Sequence, residues 1–243
     1  MGTIDDTVWQ RSDVVNRFLN GTRGALPCAE TQLDVMVRIL QTMDRPVTSF
    51  LDLGCGSGIL SASILDVWPD ARGVLVDFSA PMLQAAQQDL ATYANVTCHA
   101  MDYGDPHWVG RIAEQAPFDA IVSGFSIHHQ PDERKRAIYA ECFSLLKPGG
   151  WFINMEHIQA ASSLSTDLFA HHLADNQVEA ERRAGSTRTR REILDEFENR
   201  VDDAANILAP VDAQCGWLRD VGYEEVDCFF RIYELAIFGG RKP

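Results

Sequence analysis

The chain has 243 residues, 46% hydrophobic and 23% charged, the ordinary composition of a globular protein with enough apolar side chains for a sizeable core. Its formal charge of −14, from 21 basic and 35 acidic residues, argues against a general RNA or DNA binder, because such proteins carry a basic footprint. No apolar run approaches the ~20 residues that span a bilayer, and the acidic, polar start MGTIDDTVWQRSDVV does not read as a signal peptide, so no membrane partner is expected.

Residues 1–45 read as a helical lid segment. In TQLDVMVRILQTM, Leu33, Val37 and Leu40, with Met36 beside them, make one apolar face. Trp9 and Phe18 in this segment fit a lid over a site and fit a core equally well. Strand and helix patterns then alternate. VTSFLDLG reads as a strand, GILSASILDVWP as a helix closed by Pro69, and RGVLVDFS as a strand. SAPMLQAAQQDLATY reads as a helix with Ser79 as N-cap and Pro81 in its first turn. NVTCHAMD is a strand, HWVGRIAEQA a short helix and FDAIVSGFSI a strand. PDERKRAIYAECFSLL is a helix stopping at Lys147-Pro148-Gly149-Gly150, and GWFINMEH is the next strand. Residues 158–208 break this rhythm with a polar, helical pattern and read as an inserted cap. The tail gives a helix and two strands, with Gly239-Gly240 between the last apolar run and the end; the two strands suit a hairpin at a sheet edge. The alternation predicts an α/β fold, a doubly wound, mostly parallel sheet covered on both faces, built from 46–157 and 209–243. Six cysteines, none in a CxxC pair, read as reduced, mostly buried thiols of a cytoplasmic protein.

The stretch FLDLGCGSGIL places Gly54, Gly56 and Gly58 directly behind a strand ending in Asp52-Leu53. Such a cluster marks a backbone that turns sharply or lets a ligand come close, and in doubly wound sheets ligands bind beyond the strand C-termini. There is no GK[ST], so this is not a P-loop, and GxGxG lacks the final x-x-G of the dinucleotide fingerprint. Asp77 ends the second strand, where an acid can accept both hydroxyls of a ribose. Asp102 ends the third, followed by Tyr103, where a carboxylate can accept from an exocyclic amine. Three consecutive strands thus end in an acid or a glycine loop.

Taken together, FLDLGCGSG, VLVDFSAPML, MDY and LLKPGGWF resemble the class I S-adenosylmethionine-dependent methyltransferases, over roughly residues 47–157 and 213–242. The resemblance implies a seven-stranded sheet with a reversed C-terminal hairpin and S-adenosyl-L-methionine as cofactor. It implies that Gly54, Gly56 and Gly58 let the backbone approach the methionine part. Asp52 would orient that loop or meet the ligand's amino group through water. Asp77 would hold the ribose hydroxyls, Phe78 and Met82 would flank the adenine, and Asp102 would take the adenine amino group with Tyr103 beside it. Ser123 and Gly124, after the fourth strand, would close over the cofactor. The tail DCFFRIYELAIFGGRKP also resembles relatives of the carboxy-S-adenosylmethionine synthase of tRNA wobble-uridine modification.

Methyl transfer from a sulfonium needs in-line positioning and, for some acceptors, a base. His128 and His129 follow the fourth strand, where the resemblance places the substrate, and Glu156 and His157 end the fifth strand on the same rim. All four are candidate catalytic groups; for each histidine a capping or packing role is the alternative. Glu156, His157, His171 and His172 match no recognised metal-ligand spacing, and no metal is expected. Arg182, Arg183, Arg188, Arg190 and Arg191 make either a solvated face paired with nearby acids or an anion clamp. The sequence reading is therefore a methyltransferase acting on oxygen or nitrogen of a small molecule. Its alternatives are a cofactor-modifying enzyme of the carboxy-S-adenosylmethionine synthase type and a non-catalytic cofactor-binding subunit. Dimerisation through the cap is compatible with the sequence, which does not decide it.

Overall fold

The computed structural model describes residues 26–183, 185–198 and 205–243. Helix α1 (Ala29–Leu40) leads into β1 (Ser49–Leu53), α2 (Ile59–Leu65), β2 (Arg72–Asp77), α3 (Ala80–Asp89) and β3 (Val96–Ala100). These are followed by α4 (Trp108–Ile112), β4 (Phe118–Gly124), α5 (Asp132–Leu145) and β5 (Leu146–His157). Helices α6 (Ser163–Arg183) and α7 (Arg190–Glu198) come next, then α8 (Val211–Val221), β6 (Glu224–Ile232) and β7 (Leu235–Arg241). The strands pair in the order β3-β2-β1-β4-β5-β7-β6. The first five run parallel, and β7 lies antiparallel between β5 and β6. The seven-stranded, doubly wound sheet with a reversed terminal hairpin is the expected one.

Successive side chains of a strand point to opposite faces, so a strand covered on both sides is apolar throughout. The two faces are seen directly as two core clusters. Leu51, Leu53, Val74, Val76, Ile121 and Phe152 enter one; Phe50, Leu75, Ala120, Val122, Trp151 and Ile153 enter the other. Helices α4, α5 and α8 cover the first face through Trp108, Tyr139 and Leu218. Helices α1, α2 and α3 cover the second through Met36, Ile64 and Ala86. The described part of the expected lid is therefore a layer of the core: Met36, Ile39 and Leu40 are buried. Trp9 and Phe18 lie outside the described residues.

Two boundaries differ from expectation. Lys147-Pro148-Gly149-Gly150 is not a turn between helix and strand but part of β5, which starts at Leu146 opposite Phe118. The register shifts before Ala120 pairs with Trp151, and Gly149 and Gly150 instead exchange backbone hydrogen bonds with Lys242. Gly239 and Gly240 sit inside β7, facing Ile153 and Phe152. Ser79 caps α3 as expected, its hydroxyl accepting the Met82 N–H.

The N-terminal ends of the strands are tied together by one carboxylate. Asp119, 1% exposed, accepts from Thr48 N–H (2.9 Å), Thr48 Oγ1 (2.6 Å), Ser49 N–H (3.0 Å), Lys147 Nζ (2.9 Å) and Arg45 Nε (3.1 Å). Burial opposes its charge, but hydrogen bonds from Thr48, Lys147 and Arg45 prevail and hold its carboxyl well below the usual range. Its stabilisation is complete above the ordinary carboxylate range and fades as pH falls toward the depressed value. Asp119→Asn should lower stability by about 3 kcal/mol at neutral pH. Urea unfolding should show the gap to wild type narrowing near pH 3, roughly the unfolded carboxylate value.

Candidate active site

β1 is hydrogen-bonded to β2 on one side and β4 on the other, so connections leave it in opposite directions and a crevice opens at its C-terminal end. The glycine turn emerges there. Gly54 and Cys55 donate their N–H groups to Val76 O at 2.8 and 3.0 Å, anchoring the turn to the end of β2. Gly54 (φ +70°) and Gly56 (φ +53°) both adopt the left-handed conformation. A Cβ at Gly54 would lie 1.9 Å from Ser126 Oγ, so the loop behind β4 rests directly on this backbone. A Cβ at Gly56 would meet only Met82 Sδ, at 4.0 Å. Gly56 therefore fronts open space, a cradle that a side chain would fill.

Acids brace this turn. Asp52, fully buried, accepts from Ser61 N–H (3.2 Å) and Ser61 Oγ (2.6 Å), tying β1 to the first turn of α2. That geometry suits orienting the loop. Asp77 accepts from Gly56 N–H (2.9 Å) and Ser79 N–H (2.8 Å). Burial raises its carboxyl, resisted by the N–H groups of Ser79, Gly56 and Phe78. Lone-pair capacity remains on the carboxylate for a ligand hydroxyl. Phe78 is half-buried, Met82 is buried, and Asp102 is exposed with Oδ1 accepting from Gly104 N–H (2.6 Å).

Three expected positions are corrected. Ser123 and Gly124 do not follow the fourth strand but are its last two residues, and fully buried Ser123 donates its hydroxyl to Leu53 O at 2.7 Å. It joins β4 to β1 and is not placed to close over a ligand. Tyr103 is not laid beside Asp102 at the surface. It turns inward, 4% exposed, with its hydroxyl 2.6 Å from Ser126 Oγ. Burial pushes that phenol far up. Glu156 does not stand on the rim: its side chain is fully buried, so contact with an acceptor is ruled out in this arrangement.

What Glu156 touches is His128. His128 Nδ1 lies 2.5 Å from Glu156 Oε1, and His128 itself is 6% exposed. Burial lifts Glu156 to about 7, against the His157 N–H, the nearby histidines and Asn154, which favour its charge. His129 stacks on His128 with ring centroids 4.0 Å apart, and its Nδ1 donates to Ala205 O at 3.1 Å. His157 ends β5 with Nε2 2.9 Å from Glu234 Oε2 and its ring 5.7 Å from that of Phe169. All four candidates thus converge: His128 and Glu156 pair, His129 lies against His128, and His157 meets the His128 ring edge-on at 5.7 Å while also contacting Glu234 of the hairpin turn and Phe169 of α6. Ser126 and Glu234 escaped the sequence reading. Ser126 sits two residues before His128 in FSIHH, and Glu234 occupies the β6–β7 turn, a position without a pattern of its own.

Helix α6 rests on the sheet through Phe169 and Leu173 against Leu235, with half-buried Phe125, Phe197 and Tyr233 around them. The arginines lie at the end of α6, in the turn after it and at the start of α7. Arg182 and Arg183 pair with Glu179, Arg188 bridges Glu181 and Glu196, Arg190 pairs with Asp175, and Arg191 with Asp195. They are the solvated, acid-paired face, each pair worth little, and not an anion clamp. His171 approaches Arg190 at 3.1 Å and His172 meets Tyr233 edge-on. Among the described residues no group of three His, Cys, Asp or Glu side chains is arranged to hold a metal ion, and no helix is long and apolar enough to cross a membrane.

Residues 50–150 match a family described as a methyltransferase domain. The chain is 35% identical over 102 residues to the ubiquinone biosynthesis O-methyltransferase of Paraburkholderia phymatum, covering 42% of this chain and 40% of that protein. It is 27% identical over 154 residues to the ribosomal RNA large subunit methyltransferase G of Shewanella amazonensis, covering 59% and 38%. The matched stretch thus spans about two fifths of these curated relatives. An O-methyltransferase family protein from Burkholderia thailandensis superposes with a TM-score of 0.64 at 16% identity, over 98% of this chain and 62% of that one. The resemblance of the tail to carboxy-S-adenosylmethionine synthase relatives gains no support, because β6 and β7 form the terminal hairpin of the general fold. Residues 50–150 are a methyltransferase domain, and the chain carries the fold of the class I S-adenosylmethionine-dependent methyltransferases.

Proposed function

We propose that this protein is a cytoplasmic enzyme that binds S-adenosyl-L-methionine and moves its methyl group to oxygen or nitrogen of a small molecule, with His128 as the base. The observation that carries this reading is the contact of His128 Nδ1 with the buried Glu156 carboxylate. Facing an ionised carboxylate, Nδ1 holds the imidazole proton, and Nε2 becomes the basic atom. The same turn is fastened to the glycine loop, because Ser126 precedes it and rests on Gly54. The base-bearing turn and the cofactor cradle are therefore one assembly.

The cofactor supplies an electrophilic methyl carried by a sulfonium; the protein supplies placement and proton removal. The open front of Gly56 receives the methionine part, Asp77 the ribose hydroxyls, and Phe78 with Met82 the adenine, whose amino group meets Asp102. His128 takes a proton from the acceptor as it attacks. His129 holds the turn by its bond to Ala205 O. The segment 158–208 acts as a cap, its helix α6 seated on the sheet through Phe169 and Leu173. A charge of −14 and arginines already paired with acids favour a small neutral acceptor over RNA.

The test is mass spectrometry of ligand released from freshly purified protein, beside calorimetric titration with S-adenosylmethionine. A panel of hydroxylated and amine acceptors with methyl-labelled cofactor follows. Bound S-adenosylmethionine or its demethylated product, with label transferred to an acceptor, is the expected result. A carboxylated derivative points instead to cofactor modification, and binding without transfer to a non-catalytic subunit. No binding at all overturns the reading. Asp77→Ala should weaken cofactor binding by about 2 kcal/mol, roughly thirtyfold in Kd, by removing hydrogen bonds to a charged group. Unchanged affinity would remove Asp77 from the site.

A further inference from the structure

The carboxylate behind His128 is itself held by a buried chain of side chains that reaches the far side of the core. Asn154, fully buried in β5, directs Nδ2 to Glu156 Oε2 at 3.3 Å. On its other side the amide neighbours Tyr139 of α5, whose charge it favours against burial. Tyr139, also fully buried, donates its own proton to Gln214 Oε1 at 2.6 Å. Gln214, 1% exposed in the first turn of α8, fixes the far end by donating Nε2 to Ala209 O at 3.1 Å. The hydrogen bond that Asn154 donates thus goes to Glu156. Its carbonyl oxygen, buried, has no hydrogen-bond partner among the described residues. Asn154 acts here purely as a donor. A lone buried acceptor is unfavourable and calls for an explanation.

We propose that Asn154 is a positioning residue: its amide holds the Glu156 carboxylate facing His128 and thereby fixes which imidazole nitrogen carries the proton. This rests on His128 and Glu156 working as a pair. Glu156 Oε1 accepts from His128 Nδ1 and from His157 N–H, so Oε2 is the oxygen left for Asn154. Without that donor the buried carboxylate more readily takes a proton. A protonated Glu156 donates to Nδ1 instead of accepting from it, and the neutral imidazole moves to its Nε2–H form, which has no lone pair toward the acceptor. The titratable groups facing Glu156 are His128 and His129 from the turn after β4, His157 on its own strand, Tyr139 from α5 and Tyr103 from the loop after β3. Beyond His157 stands Glu234 of the hairpin turn.

The experiment is nitrogen-15 NMR of the His128 ring in the full-length protein across pH, assigned by its disappearance in His128→Gln, and it needs no acceptor. Wild type should show a protonated Nδ1 and a basic Nε2 in the neutral ring. Asn154→Leu should displace the neutral ring toward the Nε2–H form and lower its titration midpoint by about one pH unit, tenfold in proton affinity, the size of one hydrogen bond to a charged group. Tyr139→Phe keeps the packing and removes only the hydroxyl beside Asn154; it should move both readings the same way by less, and it serves as the test if Asn154→Leu does not fold. Glu156→Gln separates the two levels. If it leaves the His128 titration unchanged, the pair itself fails. If it shifts His128 while Asn154→Leu and Tyr139→Phe do not, the pair stands and the role of Asn154 is overturned.

Discussion

His128→Ala is expected to slow methyl transfer to the acceptor by about 10²–10⁴-fold, the range that a positioned general base contributes, while S-adenosylmethionine affinity stays within about twofold. The separation follows from where the side chain points. His128 is buried against Glu156 and joined to the cofactor cradle through the backbone of the turn that Ser126 opens. Removing the imidazole takes away the proton acceptor and leaves Ser126, Tyr103 and Gly54 in place. Calorimetry and labelled transfer measured on one preparation check both halves. Equal losses in binding and transfer would make His128 a packing residue. His129→Ala should be milder, because its Nδ1 is bonded to a backbone carbonyl and its loss loosens the turn without removing the base.

The same pair sets a pH dependence with a definite sign. As pH falls, His128 gains a proton and Glu156, raised to about 7 by burial, loses its charge, so transfer declines on the acid side. The two groups titrate as one coupled system. Stability runs the other way. A carboxyl raised in the folded state contributes fully below its unfolded value, and the contribution is lost as pH rises through the folded one. The fold therefore bears the cost of ionising Glu156 in the range where the base must work. Such opposition is expected of groups placed for chemistry rather than for stability.

Local constraint governs how much of this the chain announces in advance. Asp52, the glycine turn and Asp77 are legible because strand ends, left-handed backbone and acids beside amide groups are properties of a few neighbouring residues. The alternating faces of β1, β2 and β4 are legible for the same reason: Leu51 and Phe50 differ by one position and must part. Asp119 is not legible, because its five donors come from Arg45, Thr48, Ser49 and Lys147, brought near only by the sheet. Asn154 and Gln214 are hidden in the same way, since a polar residue within an apolar strand or helix shows its partner only after packing. Ser123 and Tyr103 were misread through proximity to the motif. Both lie beside the crevice, yet Ser123 finds Leu53 O and Tyr103 finds Ser126 when the core closes.

Gly54→Ala tests the junction between cradle and base turn most severely. The added methyl lies 1.9 Å from Ser126 Oγ and 2.5 Å from Ser126 Cβ, on a backbone with φ +70°. Left-handed strain and overpacking together should cost about 3 kcal/mol of stability. Ser126 must yield, and with it go the 2.6 Å contact to Tyr103 and the start of the turn carrying His128. Cofactor affinity should fall by at least a hundredfold, about 2.7 kcal/mol. Gly56→Ala is the contrasting change. Its methyl meets only Met82 Sδ at 4.0 Å, so stability should suffer less while the ligand space is filled. Ser126→Gly removes both clashing atoms and should recover part of what Gly54→Ala loses, so the two changes together cost less than their sum. Thermal unfolding and calorimetry over the four-member cycle measure this coupling. Strict additivity would mean that the glycine turn and the loop behind β4 do not rest on one another, and the cradle and the base would then have to be placed independently.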